Sequence, residues 1–166
     1  EREAEGPPPT VLFLLFEDRD EVRGRLVEVE KSTGRIRRRA GLNTIRSRNP
    51  VSSERGIFVI AGSDDPPRAV RLVEIDAESL EIVNQSAEDI YQGSAFVERG
   101  GSLYAVTRHE GDWYVGRFAA DLSMSARSDV RVAPQTMLLF DDEALYVQDE
   151  GGEVVVVDPR SLQRRE

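Results

Sequence analysis

Two segments, RLVEVE (25–30) and RLVEID (71–76), are near-copies of one another, 46 residues apart. In both, apolar residues alternate with charged ones after a first apolar pair: Leu26, Val27 and Val29, then Leu72, Val73 and Ile75. Successive side chains of a strand point to opposite faces, so this pattern predicts strands with one face buried. A copied strand is also the first sign of an internal repeat.

Three anchors recur around these strands. An apolar–aromatic pair precedes them at Leu12-Phe13, Ile57-Phe58, Leu103-Tyr104 and Leu145-Tyr146, with spacings of 45, 46 and 42. The strand ends carry Val29, Ile75, Phe118 and Val157, spaced by 46, 43 and 39. A turn and short strand follow in DAESLEIV, AADLSMSA and DPRSLQRR, with Leu80, Leu122 and Leu162 in register; KSTGRIRR has Gly34 at the matching place. Further short strands are expected around Leu42–Arg46, Ser94–Glu98 and Thr136–Phe140. Gly, Asp, Pro and Ser clusters separate the apolar runs, and nothing after Thr10 reads as helix.

The expected fold is all-β and β-propeller-like. It has about four repeats of roughly 42 residues (10–40, 41–85, 92–128 and 134–166), forming a four-bladed ring or an arc. A twisted sheet that is apolar on both faces needs a neighbour on each side, and stacked blades supply it. Residues 1–9, EREAEGPPP, read as a linker from an upstream region, because consecutive prolines favour extended chain. The remainder, 10–166, reads as one domain.

Composition removes several functions. The absence of Cys excludes disulfides, thiol nucleophiles and thiolate metal sites, and a single His, His109, excludes multi-His metal centres. The net charge of −9 argues against nucleic acid, whose phosphates need a basic surface. The longest apolar run, Val11–Phe16, is strand-length, far short of the roughly 20 residues of a membrane span. Of the 22 basic residues all but Lys31 are arginine.

The texture of apolar-Tyr, hairpin and VVVVDPRSL resembles PQQ-type propeller repeats, without their Gly-Trp docking pair; the one Trp, Trp113, starts a strand instead. Three stretches, YQGSAFVERGGSLYAV (91–106), WYVGRFAADL (113–122) and VQDEGGEVVVVDPRSL (147–162), resemble the C-terminal domain of the spirochaetal 83/100-kilodalton antigen family. The resemblance covers about the last 75 residues and carries no catalytic motif. It implies a charged, helical upstream region, a β-rich end and an extracytoplasmic, envelope-associated protein.

Candidate chemistry is sparse. His109 with Asp112 lacks a nucleophile motif beside it. Paired carboxylates at 18/20, 64/65, 141/142 and 149/150 lie in turns, where solubility and turn formation already favour them. The basic run Arg35, Arg37, Arg38 and Arg39 suits an outer edge strand, where charge blocks strand addition. The recurring aromatics Phe13, Phe58, Tyr104 and Tyr146 are expected in the packing between sheets. The hairpins between second and third strands, EDRDE (17–21), SDDPP (63–67), RHEGD (108–112) and QDEGG (148–152), are all acidic. If the repeats stack, Asp18, Asp20, Asp64, Asp65, Glu110, Asp112, Asp149 and Glu150 form one acidic face for a basic protein partner. The expected function is a non-enzymatic interaction or scaffold domain without cofactor or metal. A carbohydrate- or peptide-binding lectin-like propeller is the alternative, ahead of a hydrolase or PQQ-type oxidoreductase fragment. Ligand identity, ring closure and oligomeric state are not legible.

Overall fold

The computed structural model describes residues 6–18, 20, 22–47, 49–63 and 69–166, the side chain of Asp18 excepted. Among these residues there is no helix. Fourteen strands form four antiparallel meanders. Sheet one holds β1 (Thr10–Asp18), β2 (Arg23–Glu30) and β3 (Ile36–Arg39). Sheet two holds β4 (Val51–Ser52), β5 (Gly56–Ser63), β6 (Ala69–Asp76) and β7 (Ile82–Gln85). Sheet three holds β8 (Phe96–Arg99), β9 (Ser102–His109), β10 (Asp112–Phe118) and β11 (Met124–Arg131). Sheet four holds β12 (Leu139–Phe140), β13 (Leu145–Gln148) and β14 (Val154–Val157). The strand expected at 42–46 is instead a connector that makes isolated bridges through Ile45. Pro9, at the end of the expected linker, accepts a hydrogen bond from the Lys31 amide at 2.9 Å and so extends the first sheet.

Alternation along the strands divides the core into three layers. Leu26 and Ile45 pack with Val59, Ala61, Val73 and Ile75 between sheets one and two. Phe58, Ile60, Val70 and Leu72 meet Leu103, Ala105 and Phe118 between sheets two and three. Tyr104, Val106 and Val115 meet Leu145, Val147, Val155 and Val157 between sheets three and four. Each inner sheet is therefore apolar on both faces, as the repeat logic requires.

The register corrects one expectation. Val29, Ile75, Phe118 and Val157 face Val11, Ile57, Leu103 and Leu145 across the ladder. The first anchor is thus Val11-Leu12, not Leu12-Phe13. A slip of one residue moves a side chain to the other face. Leu12 and Leu14 pack toward sheet two, and Phe13, expected between sheets, is 55% exposed on the outward face.

The turn after the third strand of each meander is built around a left-handed residue. Leu80, Leu122 and Leu162 have φ of 59°, 65° and 60°, a conformation costing roughly 1–2 kcal/mol for an L-residue. Burial offsets it, because a fully buried Leu contributes about 1.5–3 kcal/mol. Each leucine is buried in the layer that joins its sheet to the preceding one. In sheet one, the first of the described sheets, the position is Gly34, φ 71°, with nothing within 4 Å of a built Cβ.

Aspartates hold these turns. Asp76 Oδ1 accepts the amides of Glu78 and Ser79 at 2.9 and 2.8 Å, and Asp158 Oδ1 those of Arg160 and Ser161 at 2.8 and 2.9 Å. Hydrogen bonding to the ionised form stabilises it. The Ser161 amide, then that of Arg160, draws the Asp158 carboxyl down to about 2. Asp76, Asp121 and Asp141 are lowered too, chiefly by the Ser79 amide, the Ser123 hydroxyl and the Glu143 amide. A carboxyl depressed in the folded state contributes stability that is complete above its unfolded value, near 4, and lost as pH falls toward the folded value. Melting temperature is therefore expected to drop between about pH 4 and 2. Asp158→Asn should start lower at neutral pH and converge on the unsubstituted protein near pH 2; parallel curves would contradict this.

Buried hydroxyls complete the connectors. Ser86 and Ser128, 42 residues apart, accept the amides of Leu72 and Val115 at 3.0 Å and donate to the carbonyls of Glu88 and Val130. Ser47, Ser94 and Thr136 likewise accept the amides of Ile60, Val106 and Gln148. They pair backbone N–H groups that would otherwise be buried unsatisfied.

Candidate interaction surface

The connectors fix where the hairpins lie. Ile45 bridges Gly24 in sheet one and Ala61 in sheet two. Ile90 donates its amide to Val70 and bridges Thr107; Val132 donates to Trp113 and bridges Asp149. All three are buried, spaced by 45 and 42 residues, and run beside the hairpin ends of the sheets they join. The hairpin ends of the strand pairs β1–β2, β5–β6, β9–β10 and β13–β14 therefore share one edge of the array.

The predicted acidic residues meet different fates on that edge. Asp112 Oδ2 and Glu150 Oε1 both reach Arg131, at 3.4 and 3.8 Å from its Nε and Nη1. One guanidinium thus ties the third hairpin to the fourth and offsets part of their charge. Its own pKa is raised, first by the hydrogen bond to Tyr114 and then by these two carboxylates. Asp149 is turned inward, its Oδ1 accepting the Glu153 amide at 2.8 Å to cap the hairpin. The Glu110 side chain is 85% exposed, and Asp20 is exposed. Asp64, Asp65 and the Asp18 side chain lie outside the described residues.

His109 Nε2 stands 3.8 Å from Glu110 Oε1, while Asp112 is engaged by Arg131, so no His–Asp dyad forms. Among the described residues, no three His, Cys, Asp or Glu side chains converge as a metal site would require. Trp113 packs half-buried, edge-on to Tyr91 at 5.4 Å, with the Arg108 guanidinium 5.8 Å from its ring centre. Arg37, Arg38 and Arg39 of the basic run fall on β3, an edge strand of sheet one, and Arg35 lies just before it. Arg37 and Arg39 pair there with Glu30 and Glu17 at 2.8 and 2.9 Å. Arg38 binds Glu28 and donates to the Glu78 carbonyl, stitching sheet one to sheet two.

Two depressions accompany the edge and its opposite. A cleft of about 480 Å³ opens between Arg46, Ser47 and Asn49 on one side and residues 91–96 on the other, and is bounded by Val22 of the first hairpin. Arg46 is fixed there by the Gly62 carbonyl at 2.9 Å and Gln92 Oε1 at 3.0 Å. Sequence reasoning passed over Arg46 and Tyr91. The available signal was their place directly after Ile45 and Ile90. A groove of about 690 Å³ lies between sheets two and three, floored by Phe58 and Leu103. On its wall the buried Glu74 pairs with Arg55 at 2.6 Å.

The sequence matches the model of the Borrelia P83/100 protein over residues 10–138, more than half of the chain. The chain belongs to this family. The family match takes in the first two of the three stretches that carry the resemblance, at 91–106 and 113–122. It reaches back through sheets one and two rather than forward over 147–162. The P83/100 assignment thus rests on the first three sheets. No curated protein matches the sequence. Among the solved structures that match is the computationally designed Ika8 protein, 14% identical, with a TM-score of 0.53. The alignment covers 96% of this chain and 49% of Ika8. At that identity the likeness concerns fold alone, and the chain spans about half the length of its structural relative.

Proposed function

We propose that this chain is a non-enzymatic, extracytoplasmic interaction domain. Its four meanders act as the blades of an open β-propeller-like arc, and its hairpin edge receives a basic protein partner. The blade reading is supported by the face-to-face layers and by connectors that cross from the outer strand of one sheet to the inner strand of the next. The single observation that carries the functional reading is the shared edge of the acidic hairpins, with Arg131 placed among them as an internal stand-in for a partner's cation. Extracytoplasmic placement is what an antigen family implies.

A lysine-rich peptide is the probe. Binding is expected at low salt and should fade as salt rises, because exposed charges are screened. Asp20→Lys and Glu110→Lys should each weaken binding roughly twofold to fivefold, the scale of exposed charge pairs. Glu81→Lys, in the turn at the opposite edge, should not. Arg131→Ala removes the internal cation and should strengthen binding. If Asp20→Lys with Glu110→Lys binds the peptide as the unsubstituted chain does, the reading fails. The second reading, a carbohydrate- or peptide-binding module, is favoured by Tyr91, Phe96, Arg46 and Asn49 around the cleft. Quenching of Trp113 fluorescence by an oligosaccharide, but not by the lysine-rich peptide, would select it.

A further inference from the structure

Both end sheets of the described array carry exposed apolar residues on their outward faces. The outward face of sheet one carries Val11 and Phe13, 50% and 55% exposed. In the ladder register these residues, with Val27, itself buried, and the half-buried Val29, occupy the places of Ile57, Val59, Val73 and Ile75, which sheet two buries against sheet one. The outward face of sheet four carries Leu139 and Val154, 53% and 72% exposed, with Tyr146 and Val156 half-buried between them. These are the counterparts of the residues that sheets two and three present to the sheet that follows: Tyr146 stands where Phe58 and Tyr104 do, Val154 where Leu72 and Val115 do. End repeats of a stacked array that finish in water are polar on the outside. These two are not, and each has the shape of the other's missing neighbour.

We propose that the occupant is a second copy of this chain, with sheet four of each copy packed on sheet one of the other. The proposal rests on the propeller reading above and extends it to a ring of eight sheets. Two identical head-to-tail contacts related by a two-fold axis close on themselves and leave no free end. Continuity with the internal layers argues for this occupant, since the contact repeats one the chain already makes three times. So does the length relation, because the matched fold of Ika8 is about twice as long as this chain. Gly34 omits the turn leucine at this end, so the contact between copies is smaller than those inside the chain, and the dimer should dissociate on dilution.

Sedimentation equilibrium over a concentration series tests it. The expected mass at high concentration is twice the 18.6 kDa of one chain. Phe13→Asp and Val154→Asp should each raise the dissociation constant at least about tenfold, the scale of losing one buried apolar side chain. Circular dichroism should stay unchanged, because both positions are exposed in the single chain. Mixed in equal amounts, Phe13→Cys and Val154→Cys proteins should form a disulfide-linked heterodimer, since their internal counterparts, Val147 with Val115 and Ala105 with Leu72, share a layer. A monomer at every concentration overturns the dimer; if it still binds the lysine-rich peptide in a salt-dependent way, the functional reading stands without it. An intramolecular disulfide in a chain carrying both cysteines, meaning closure within one copy, also overturns it. So does Phe13→Cys linking only to itself.

Discussion

Leu122→Ala is expected to destabilise the chain by about 3 kcal/mol, within the roughly 2–5 kcal/mol found for truncating buried leucines. Leu122 is 1% exposed and fills the layer between sheets two and three beside Phe58, Ile90 and Phe118. Alanine keeps the left-handed backbone at φ 65° and its strain while losing the burial that offsets it. Leu122→Gly releases that strain, roughly 1–2 kcal/mol, and should fall no further than the alanine variant. Leu139→Ala, at a position 53% exposed, should change stability by no more than about 0.5 kcal/mol in the single chain. Urea unfolding measures all three. A Leu122→Ala loss below about 1 kcal/mol would mean that the turn leucines do not hold the sheets together.

Gly56→Ala should cost on the order of 3 kcal/mol, the upper range for overpacking. A Cβ at Gly56 would stand 2.0 Å from the Ile75 carbonyl oxygen and 2.7 Å from the Ala77 nitrogen. Both are backbone atoms and cannot swing aside, so the first pair of the β5–β6 ladder, Gly56 with Asp76, must open. Gly111→Ala is the control. Its φ is 89°, but nothing lies within 4 Å of the added methyl, so it carries only the backbone penalty of about 1–2 kcal/mol. Thermal unfolding of the two variants should separate them clearly, and equal losses would contradict the packing described for β5.

The all-β fold was legible because its strands alternate and its turns recur. The one-residue slip at Phe13 arose where alternation stops: VLFLLF at 11–16 is apolar throughout, and a continuous apolar run does not say which face is buried. The ladder to Val29 settles it. Leu80, Leu122 and Leu162 were visible in register, with Gly34 at the matching place in the first copy. Three leucines in that conformation still run against local preference and are explained only by the layer each one enters. Ile45, Ile90 and Val132 were invisible for a different reason. Each lies in a connector without an alternating apolar pattern, and its importance comes from bridging two sheets. The acidic hairpins stood out as segments of the sequence, but Arg131 was not connected with them. It lies 19 residues from both Asp112 and Glu150 in sequence, and only the meeting of the third and fourth hairpins brings the three together.

The hairpin edge is where the proposed binding takes place. A two-dimensional amide NMR titration with the lysine-rich peptide tests it most directly. Shifts are expected at Asp20, Glu110, Asp112, Asp149 and Glu150, diminishing with added salt, and none at the turn residues 76–80, 119–123 and 158–162 on the opposite edge. Shifts confined to those turns, or spread evenly over both edges, would contradict it.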